Sequence, residues 1–509
     1  MAEPLIRPLD EHNERLLSHV HPADWTDPTP GGPYNLVVLG AGTAGLVTAA
    51  VGAGLGAKVA LVERHLMGGD CLNVGCVPSK GIIAPARVAA AVRDAAEQCV
   101  GVGEWGVDFP AVMERMRRLR ASIAHVDSAE RFRSLGVDVY IGEAAFAGES
   151  SVRVGETTLK FSRAVIAIGA RAVVPDIPGL AEAGPLTNET VFELTERPGR
   201  MLVVGGGPIG CEMAQAFQRL GTQVLLAERS GRILGGSDAD AAKVVQDSLA
   251  RDGVWVFNDT RLEKVELRDG QKVCHLATPD GPREEAVDHI LVGAGRKANV
   301  EGLNLDAAGV ACNEYGIEVD NHLQTSNPAV FAAGDVCSRY KFTHAADFMA
   351  RMVVQNALVA SYLKLAGWKK FDDLVIPHAT YTSPEVAGVG LTEESAASGG
   401  VDVDAYRVEM ADVDRAILEG QTEGFVKVLT AKGSDRIVGA TVVAENAGDI
   451  IGSLSIAMTQ GIGLGAIASC IHPYPTQADA VRRCGDLYNK TKLTPLAKTA
   501  LEKFTSWTR

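Results

Sequence analysis

Two cysteines in the segment GGDCLNVGCVPSK, residues 68–80, have the types and spacing for redox chemistry. Cys71 and Cys76 lie five positions apart, and on a regular helix such residues point about 140° away from each other. A bond between the sulfurs has narrow geometry, so it needs an irregular turn, which Gly75 permits. A disulfide that closes so short a loop restrains the unfolded chain little. The pair therefore predicts redox chemistry rather than a structural cross-link.

A glycine loop upstream of the cysteines predicts a dinucleotide site. The strand NLVVLG leads into a loop with Gly40, Gly42 and Gly45, a helix follows, and the next strand ends at Glu63. Glycines at this spacing let the backbone approach a pyrophosphate at the helix N-terminus. The acid at the second strand end is placed to bind a ribose hydroxyl. The flanking strands and the acid make this signal stronger than the glycines alone.

The same unit occurs a second time. The strand MLVVGG leads into a loop with Gly205, Gly207 and Gly210, and the next strand, QVLLAE, ends at Glu228. Two dinucleotide units in one chain predict two bound dinucleotides, with electrons passing from one to the other.

Composition excludes several classes of function. The 509 residues carry a net charge of −14, which argues against non-specific binding to nucleic acid or to an anionic membrane. The longest apolar run, residues 36–57, carries six glycines and fits a nucleotide fold better than a membrane span. Nine cysteines are too few for a disulfide scaffold, and the other seven show no metal-like spacing, so no metal site is predicted. The polar N-terminus shows no secretory signal, and the cysteine usage, with one special pair, leads us to expect a cytoplasmic protein.

Together these pieces resemble class I pyridine nucleotide-disulfide oxidoreductases, the flavoprotein family of glutathione reductase, dihydrolipoyl dehydrogenase and mercuric reductase. The match to GGxCxNxGCxPSK is specific, and the resemblance extends from residue 34 to about residue 495. It implies an α/β fold with two Rossmann-like three-layer domains, for FAD and NAD(P), and a C-terminal α+β dimerisation domain. The expected parts are a surface extension (1–33), an FAD-binding domain in two parts (34–186 and 301–374), an NAD(P)-binding domain (187–300) and a dimerisation domain (375–509).

The resemblance also implies residue roles. Hydride would pass from the nicotinamide to the flavin, which would then reduce a Cys71–Cys76 disulfide. Cys76 would be the thiolate against the flavin and Cys71 the outer thiol, with Lys80 and Glu212 as a charged pair beside the ring. FAD would be bound by Gly40, Gly42, Gly45, Glu63 and Asp335, the nicotinamide dinucleotide by Gly205, Gly207 and Gly210, and further cofactor-binding positions would be Gly69, Lys80, Gly169, Gly295 and Gly334.

Coenzyme choice depends on the end of the second unit's strand. Glu228 would receive ribose hydroxyls and repel a 2′-phosphate, whereas Arg229 and Arg232 could bind that phosphate. The sequence favours NADH by a small margin and is compatible with the use of both coenzymes.

The loop His472-Pro473-Tyr474-Pro475-Thr476 departs from the pattern of family members that reduce disulfides. Those members carry His-Pro-Thr followed by a glutamate, both supplied by the partner subunit, whereas here Tyr474 and Asp479 hold these positions. A phenol with a pKa of about 10 cannot act as a general base near neutrality. We interpret His472 as structural rather than catalytic. Tyrosine at this position resembles mercuric reductase, although Tyr474 could instead pack a dimer interface.

Other features oppose a full mercuric reductase. No cysteine pair follows Cys484, and residues 1–33 contain no cysteine. The sequence thus predicts a homodimeric, mercuric reductase-like enzyme whose site is completed by the partner subunit and whose acceptor is a thiol-bound metal ion or another small electrophile. The alternatives are a diaphorase or quinone reductase, a dihydrolipoyl dehydrogenase-like disulfide reductase, and a non-catalytic flavoprotein that docks on a multienzyme complex.

Overall fold

A computed structural model describes residues 6–363 and 367–509, and it begins with a helix in the predicted extension. Helix α1 (Glu11–Val20) starts at Asp10, whose side chain accepts a hydrogen bond from the backbone N–H of Asn13. Leu16 and Val20 are fully buried in the core of the first α/β unit. The expectation that the extension lies on the surface is therefore wrong for α1, because its apolar face is part of that core. Residues 1–5 lie outside the described part of the chain.

The first α/β unit contains a sheet of seven strands in the order β3-β2-β1-β6-β5-β4, with β18 pairing with β6. Strands β1, β2, β3, β6 and β18 are parallel, and β4 and β5 extend the sheet as an antiparallel hairpin. Its elements are β1 (Tyr34–Leu39), α2 (Thr43–Gly54), β2 (Val59–Glu63), α3 (Gly69–Asn73), α4 (Cys76–Arg93), α5 (Phe109–Ile123), α6 (Ala129–Ser134), β3 (Val137–Ile141), β4 (Ala144–Gly148), β5 (Ser151–Val154), β6 (Thr157–Ile166) and β7 (Ala170–Ala172).

The second α/β unit has a parallel sheet of four strands in the order β10-β9-β8-β14 and a separate antiparallel sheet of three strands, β11-β12-β13. Strand β15 pairs with β7 and so joins this unit to the first one. Its elements are β8 (Arg200–Val204), α7 (Pro208–Arg219), β9 (Gln223–Ala227), α8 (Ala239–Asp252), β10 (Trp255–Phe257), β11 (Arg261–Arg268), β12 (Gln271–Thr278), β13 (Gly281–Val287), β14 (His289–Val292) and β15 (Arg296–Ala298).

The chain then returns to the first sheet and ends in an α+β unit. The return comprises β16 (Cys312–Asn313), β17 (Gly316–Ile317), β18 (Val330–Ala332) and α9 (Thr343–Val354). The last unit has an antiparallel sheet of five strands in the order β19-β20-β23-β22-β21. Its elements are β19 (Pro377–Thr380), β20 (Glu385–Gly390), α10 (Glu393–Ser398), β21 (Val403–Glu409), α11 (Asp414–Leu418), β22 (Phe425–Ala431), β23 (Ile437–Ala444), α12 (Ala447–Thr459), α13 (Leu464–Ala468), α14 (Asp479–Thr491) and α15 (Pro495–Trp507).

This architecture confirms the predicted fold class of two Rossmann-like units followed by an α+β unit. The boundaries expected after residues 186, 300 and 374 stay predictions. Within the described ranges, no helix combines the length and the apolar character that crossing a bilayer requires.

Candidate active site

The two cysteines lie on either side of a break between two helices. Cys71 lies within α3, and Cys76 is the first residue of α4. A Cβ at Gly75 would lie 2.7 Å from the carbonyl oxygen of Asp70 and 3.2 Å from the Cα of Cys71. Only glycine therefore lets the chain double back closely enough to bring the second cysteine towards the first. The predicted irregular turn at Gly75 is confirmed.

Both cysteines are thiols in this structure, and their surroundings separate their acidities. Hydrogen bonding from the Cys71 thiol, followed by Thr343 and the charge of Lys80, lowers the pKa of Cys76 to about 6 against the opposing effect of burial. The same hydrogen bond, together with burial, raises the pKa of Cys71 far above its ordinary value. The Cys76 sulfur lies 3.6 Å from the Thr343 hydroxyl oxygen. The site thus favours one thiolate, on Cys76, and one thiol, on Cys71.

Lys80 and Glu212 form the predicted charged pair. The Lys80 ammonium lies 2.8 Å from a Glu212 carboxylate oxygen and 4.3 Å from the centre of the Tyr381 ring. The other Glu212 oxygen accepts a hydrogen bond from the backbone N–H of Tyr381, at 2.9 Å. Helices α4 and α7 and the segment after β19 therefore meet at this pair, and Glu212 is buried there.

The first glycine loop forms a cradle that suits a dinucleotide. Gly40 has a φ of +97°, and a Cβ on Gly45 would lie 1.8 Å from the Gly40 carbonyl oxygen, so the loop and α2 approach as closely as glycines allow. No side chain of the described residues caps the first turn of α2, which leaves its N–H groups available to an anion. Glu63 accepts hydrogen bonds from the backbone N–H groups of Ala41 and His65, at 2.7 and 2.8 Å. These residues fit FAD.

Asp335 lies near a cation that the sequence analysis missed. The Arg296 Nε lies 3.6 Å from an Asp335 oxygen, and the same guanidinium binds the Asp70 carboxylate next to Cys71. It also donates to the carbonyl of Ala170, at 2.6 Å. Burial raises the pKa of Asp335, which suits a carboxylate that receives hydroxyl groups of a ligand. Arg296 could not be identified beforehand because its hydrogen-bond partners Asp70 and Ala170 are 226 and 126 residues away in sequence.

The second glycine loop repeats the geometry of the first. Gly205 has a φ of +107°, and a Cβ on Gly210 would lie 1.9 Å from the Gly205 carbonyl oxygen. The two Glu228 oxygens accept hydrogen bonds from the backbone N–H groups of Gly206 and Ser230, at 2.7 and 2.8 Å. No described side chain caps α7 either, and Gly207 precedes it with open space around its Cβ position. These residues fit the nicotinamide dinucleotide.

The two arginines near Glu228 differ in their contacts. Arg229 is exposed, and no partner for it lies in residues 6–363 or 367–509. Arg232 pairs with Glu394 of α10 at 2.5 Å and donates to the carbonyl groups of Gly235 and Ser237. Arg232 is therefore already paired, whereas Arg229 has no partner among the described residues.

Tyr474 and Asp479 lie away from the cysteines of their own chain. Tyr474 is 74% exposed, and its hydroxyl donates to an Asp414 oxygen at 2.9 Å, which raises the pKa of the phenol. Asp479 pairs with Arg482 at 2.8 Å. His472 contacts the carbonyl of Cys470 at 3.1 Å. Within one subunit, the structure therefore shows no contact between Tyr474 and either of the two cysteines.

A cavity of about 1160 Å³ is lined by eleven of the predicted site residues. This volume is slightly above the usual range of about 300–1,000 Å³ for small-molecule sites and suits a dinucleotide. The predicted residues that line it are Gly40, Gly42, Glu63, Gly69, Cys71, Cys76, Lys80, Gly169, Glu212, Gly334 and Asp335. Those outside its lining are Gly45, Gly205, Gly207, Gly210, Glu228, Arg229, Gly295, Tyr474 and Asp479. The lining residues that the sequence analysis missed include Asp70, Arg296, Lys341, Thr343, His344, His378 and Tyr381.

The structure combines two dinucleotide cradles, a dithiol at one of them and a charged pair beside that dithiol. This combination defines a flavin- and nicotinamide-dependent dithiol oxidoreductase. The chain belongs to the pyridine nucleotide-disulphide oxidoreductase family, whose profile matches residues 34–350. The profile of that family's dimerisation domain matches residues 376–484. The protein is therefore an enzyme that uses FAD and NAD(P)H, and its dimerisation domain indicates a homodimer.

Several known proteins are similar to this chain over most of their length. A mercuric reductase of Streptomyces lividans is 33% identical over 88% of this chain and 95% of its own. A dihydrolipoyl dehydrogenase of Chlamydia muridarum is 32% identical over the same shares of the two chains. The HOCl-induced flavoprotein disulfide reductase RclA from Escherichia coli has a similar structure, with a TM-score of 0.77, 26% identity and coverage of 89% of this chain and 100% of its own. A Cu(II) complex of RclA gives a TM-score of 0.78 at 26% identity, over 90% of this chain and 99% of its own.

Proposed function

We propose that this enzyme is mercuric reductase-like and passes electrons from NAD(P)H through Cys71 and Cys76 to a thiol-bound metal ion or another small electrophile. The observation that carries the proposal is Tyr474, which holds the position where disulfide-reducing relatives use a histidine base. Its phenol has a raised pKa, so it is a poor base for the release of a leaving thiol. A thiol-bound metal ion is released by ligand exchange and needs such a base less. The similarity to mercuric reductases and to a protein with a Cu(II) complex supports this acceptor class.

The proposed cycle begins and ends with a disulfide between Cys71 and Cys76, so the electrons that enter the two sulfurs also leave them. The disulfide takes up two electrons and one proton, which gives the Cys71 thiol and the Cys76 thiolate. Lys80 and Thr343 stabilise that thiolate, and Glu212 holds Lys80 in place. A divalent metal ion held by thiolates then takes up two electrons as the disulfide forms again, and the Cys71 proton leaves with one of the released thiolates. When bound, FAD would supply the hydride-transfer chemistry that connects NAD(P)H to the disulfide.

Tyr474 and Asp479 would act on the site of the partner subunit. Tyr474 is exposed on the last unit, which contains the dimerisation domain, and it does not line the cavity of its own chain. A hydroxyl there would orient the acceptor or a thiol that carries it. The site would then be complete only in the homodimer.

Glu228 supports NADH as the preferred coenzyme. Its carboxylate lies at the second glycine loop and would repel a 2′-phosphate, whereas Arg229 alone is available to attract one. The expected cytoplasmic location stays a prediction that follows from the cysteine usage.

An acceptor panel tests the proposed function. NADH and NADPH oxidation would be measured with thiol-complexed Hg(II), Cu(II), quinones, glutathione disulfide and lipoamide, for the wild-type protein and for Cys71→Ser. We expect turnover with thiol-complexed metal ions and weak turnover with both disulfides. The variant should lose metal-ion turnover at least about 100-fold, because the sulfur that would bind the acceptor and close the disulfide is gone.

The other functions predict different results. A quinone reductase would keep its quinone turnover in Cys71→Ser. A dihydrolipoyl dehydrogenase-like or glutathione reductase-like enzyme would turn over its disulfide rapidly despite Tyr474. Either result, without metal-ion turnover, would contradict the proposal.

A further inference from the structure

Helix α1 lies beside the segment that carries the two cysteines. The family profile matches residues 34–350, so α1 lies outside the matched part of the chain. Its Leu16 and Val20 are fully buried, and the carbonyl of Val20 accepts a hydrogen bond from the backbone N–H of Met67 at 3.1 Å. Met67 lies two residues before α3, the helix that contains Cys71. The N-terminal segment is therefore in direct contact with the chain that leads into the dithiol.

Arg120 of α5 connects α1 to the break between the two cysteines. Its Nη2 donates to the side-chain oxygen of Asn13 on α1, at 2.7 Å, and its Nη1 donates to the backbone carbonyl of Asn73, at 2.5 Å. Asn73 is the last residue of α3, two positions after Cys71 and three before Cys76. A helix end leaves backbone carbonyl groups without helical partners, and Arg120 satisfies one of them. We call this connection the Asn13–Arg120–Asn73 link.

The three residues of the link are buried. Asn13 is 0%, Arg120 is 1% and Asn73 is 3% exposed. Among the residues that the structure describes, the Arg120 guanidinium forms hydrogen bonds to neutral oxygen atoms only. Burial lowers the pKa of Arg120 to about 10, so the group is still protonated at neutral pH. A buried cation without a paired anion is costly, and stability alone therefore does not account for an arginine at this position.

Helix α5 also holds the helix that carries the second cysteine. The Cγ of Met116 lies 3.0 Å from the position that a Cβ on Gly81 would occupy, so α5 and α4 approach each other closely there. Arg115 donates to the carbonyl of Gly81 at 3.2 Å. Gly81 lies five residues after Cys76 on α4. One helix thus contacts both sides of the break, the α4 side around Gly81 and the α3 side through Arg120.

Further contacts fix the orientation of α1 and of the Asn13 amide. Arg117 donates through Nε to the side chain of Asp10, the N-cap residue of α1, at 2.5 Å. The Asn13 side-chain nitrogen donates to the carbonyl of Pro8 at 2.7 Å. Because the amide nitrogen is held by Pro8, the amide oxygen is directed at Arg120. The link is therefore oriented at its α1 end as well as at the break.

We infer that the N-terminal segment, through Asn13 and Arg120, fixes the positions of the two cysteine sulfurs relative to each other and thereby sets the midpoint potential of the dithiol. Asn13 and Arg120 are positioning residues that act through the backbone carbonyl of Asn73. A disulfide has narrow geometry, so thiols that are held near it close the bond more readily than thiols on a mobile segment do. The inference goes beyond the proposed function, because it concerns the equilibrium of the disulfide and applies whatever the acceptor is.

The variant that tests the inference carries Asn13→Leu and Arg120→Met together, in the full-length holoenzyme. It replaces both partners of the Asn13–Arg120 hydrogen bond by apolar side chains of similar size, a change that is often nearly neutral for stability. Arg118→Met is the matched control, because Arg118 lies two residues from Arg120 on α5 and is exposed. The thermal unfolding midpoint of each protein is measured alongside its redox equilibrium.

The redox equilibrium is measured against dithiothreitol, without NADH and without an acceptor. Each protein is equilibrated in the absence of oxygen with mixtures of reduced and oxidised dithiothreitol. The S–S bond of the protein breaks as that of the reagent forms, and two electrons pass from the reagent to the protein with the protons that its sulfurs take up. The open and closed forms of the Cys71–Cys76 pair are then quantified by alkylation and peptide mass.

The double variant should close its disulfide less readily than the wild type. We expect the equilibrium constant for closure to fall about 10-fold, which raises the midpoint potential by about 30 mV. The sign follows because a looser break disfavours the closed ring more than the open thiols. Arg118→Met should give the wild-type potential. A link with a purely structural role would change the thermal midpoint and leave the potential where it is.

A wild-type potential in the folded double variant would overturn the inference. If the double variant does not fold, Asn13→Leu alone decides, because it frees the α1 end of Arg120. It should lower the closure constant at least about 3-fold, and an unchanged constant would contradict the inference. The proposed function fails separately, when thiol-bound metal ions are not turned over or when the wild-type protein forms no Cys71–Cys76 disulfide at any ratio of the reagent.

Discussion

At the scale of single residues, the site divides two identical side chains into different chemical species. Cys76 is next to Thr343 and within the field of Lys80, whereas the Cys71 thiol donates its hydrogen bond to Cys76 and is penalised by burial as a thiolate. A thiolate is the reactive species, and a thiol holds the proton that the cycle needs. The position of a few charges therefore decides which sulfur acts first.

Lys80→Met should raise the pKa of Cys76 above about 6, because the positive charge that favours the thiolate is removed. The sign follows from the charge, since without it the thiolate persists only at higher pH. The measurement is a pH titration of thiolate absorbance in the reduced protein. Lys243→Met is the control, because Lys243 is exposed on α8, and it should leave the titration unchanged. A Cys76 pKa that does not move in Lys80→Met would contradict the role of Lys80.

Glu228→Ser should shift coenzyme preference towards NADPH. The carboxylate that repels a 2′-phosphate is removed, and Arg229 remains next to it. We expect the ratio of kcat/KM for NADPH to that for NADH to rise at least about 10-fold, which corresponds to 1.4 kcal/mol. Arg229→Gln should change the ratio in the opposite direction. A ratio that stays constant in both variants would place coenzyme selection elsewhere.

At the scale of elements, the sequence predicts local geometry well and long-range contacts poorly. Both glycine loops and their flanking strands follow from periodicity and glycine spacing, because backbone contacts within about 30 residues decide them. The bond between Arg296 and Asp70 and the bond between Arg120 and Asn13 join distant parts of the chain, and no local pattern encodes them. The burial of α1 was missed for the same reason.

Gly45→Ala and Gly210→Ala should separate the two dinucleotide sites. In each case the new methyl group would lie within 2 Å of a loop carbonyl oxygen, at 1.8 and 1.9 Å. Gly45→Ala should purify with less bound flavin, measured as the ratio of flavin to protein absorbance. Gly210→Ala should keep its flavin and raise the KM for NADH at least about 10-fold, since its loop is displaced from the pyrophosphate.

Gly54→Ala is the matched control for these substitutions. Gly54 ends α2, and no described atom lies within 4 Å of its Cβ position. The variant should keep its flavin and its KM. A Gly45→Ala protein with full flavin content would show that the first cradle is not the FAD site.

At the scale of the whole molecule, the role proposed for Tyr474 depends on dimer assembly. It lies on a unit that matches a dimerisation domain, and it does not line the cavity that holds the two cysteines of its own chain. A closed dimer would supply this side chain to the opposite subunit twice, by symmetry.

Mixed dimers test this arrangement. Subunits with Cys71→Ser and subunits with Tyr474→Ala would be denatured, mixed in equal amounts and refolded together. Half of the dimers should be mixed, and each should contain one complete site, so about a quarter of wild-type turnover should return. The control is Tyr315→Ala, which changes another exposed tyrosine and should leave wild-type turnover unchanged. No recovery above the two parent variants would contradict a shared site.

The redox state of the two sulfurs tests the central claim most directly. Two samples would be compared: the protein as isolated, and the protein reduced by excess NADH in the absence of oxygen. Both would be alkylated and digested, and the peptide masses would be measured by mass spectrometry. The account predicts one peptide with a closed Cys71–Cys76 disulfide before reduction and the same peptide with two alkyl groups afterwards. A peptide whose mass does not change on addition of NADH would show that the electrons bypass the dithiol.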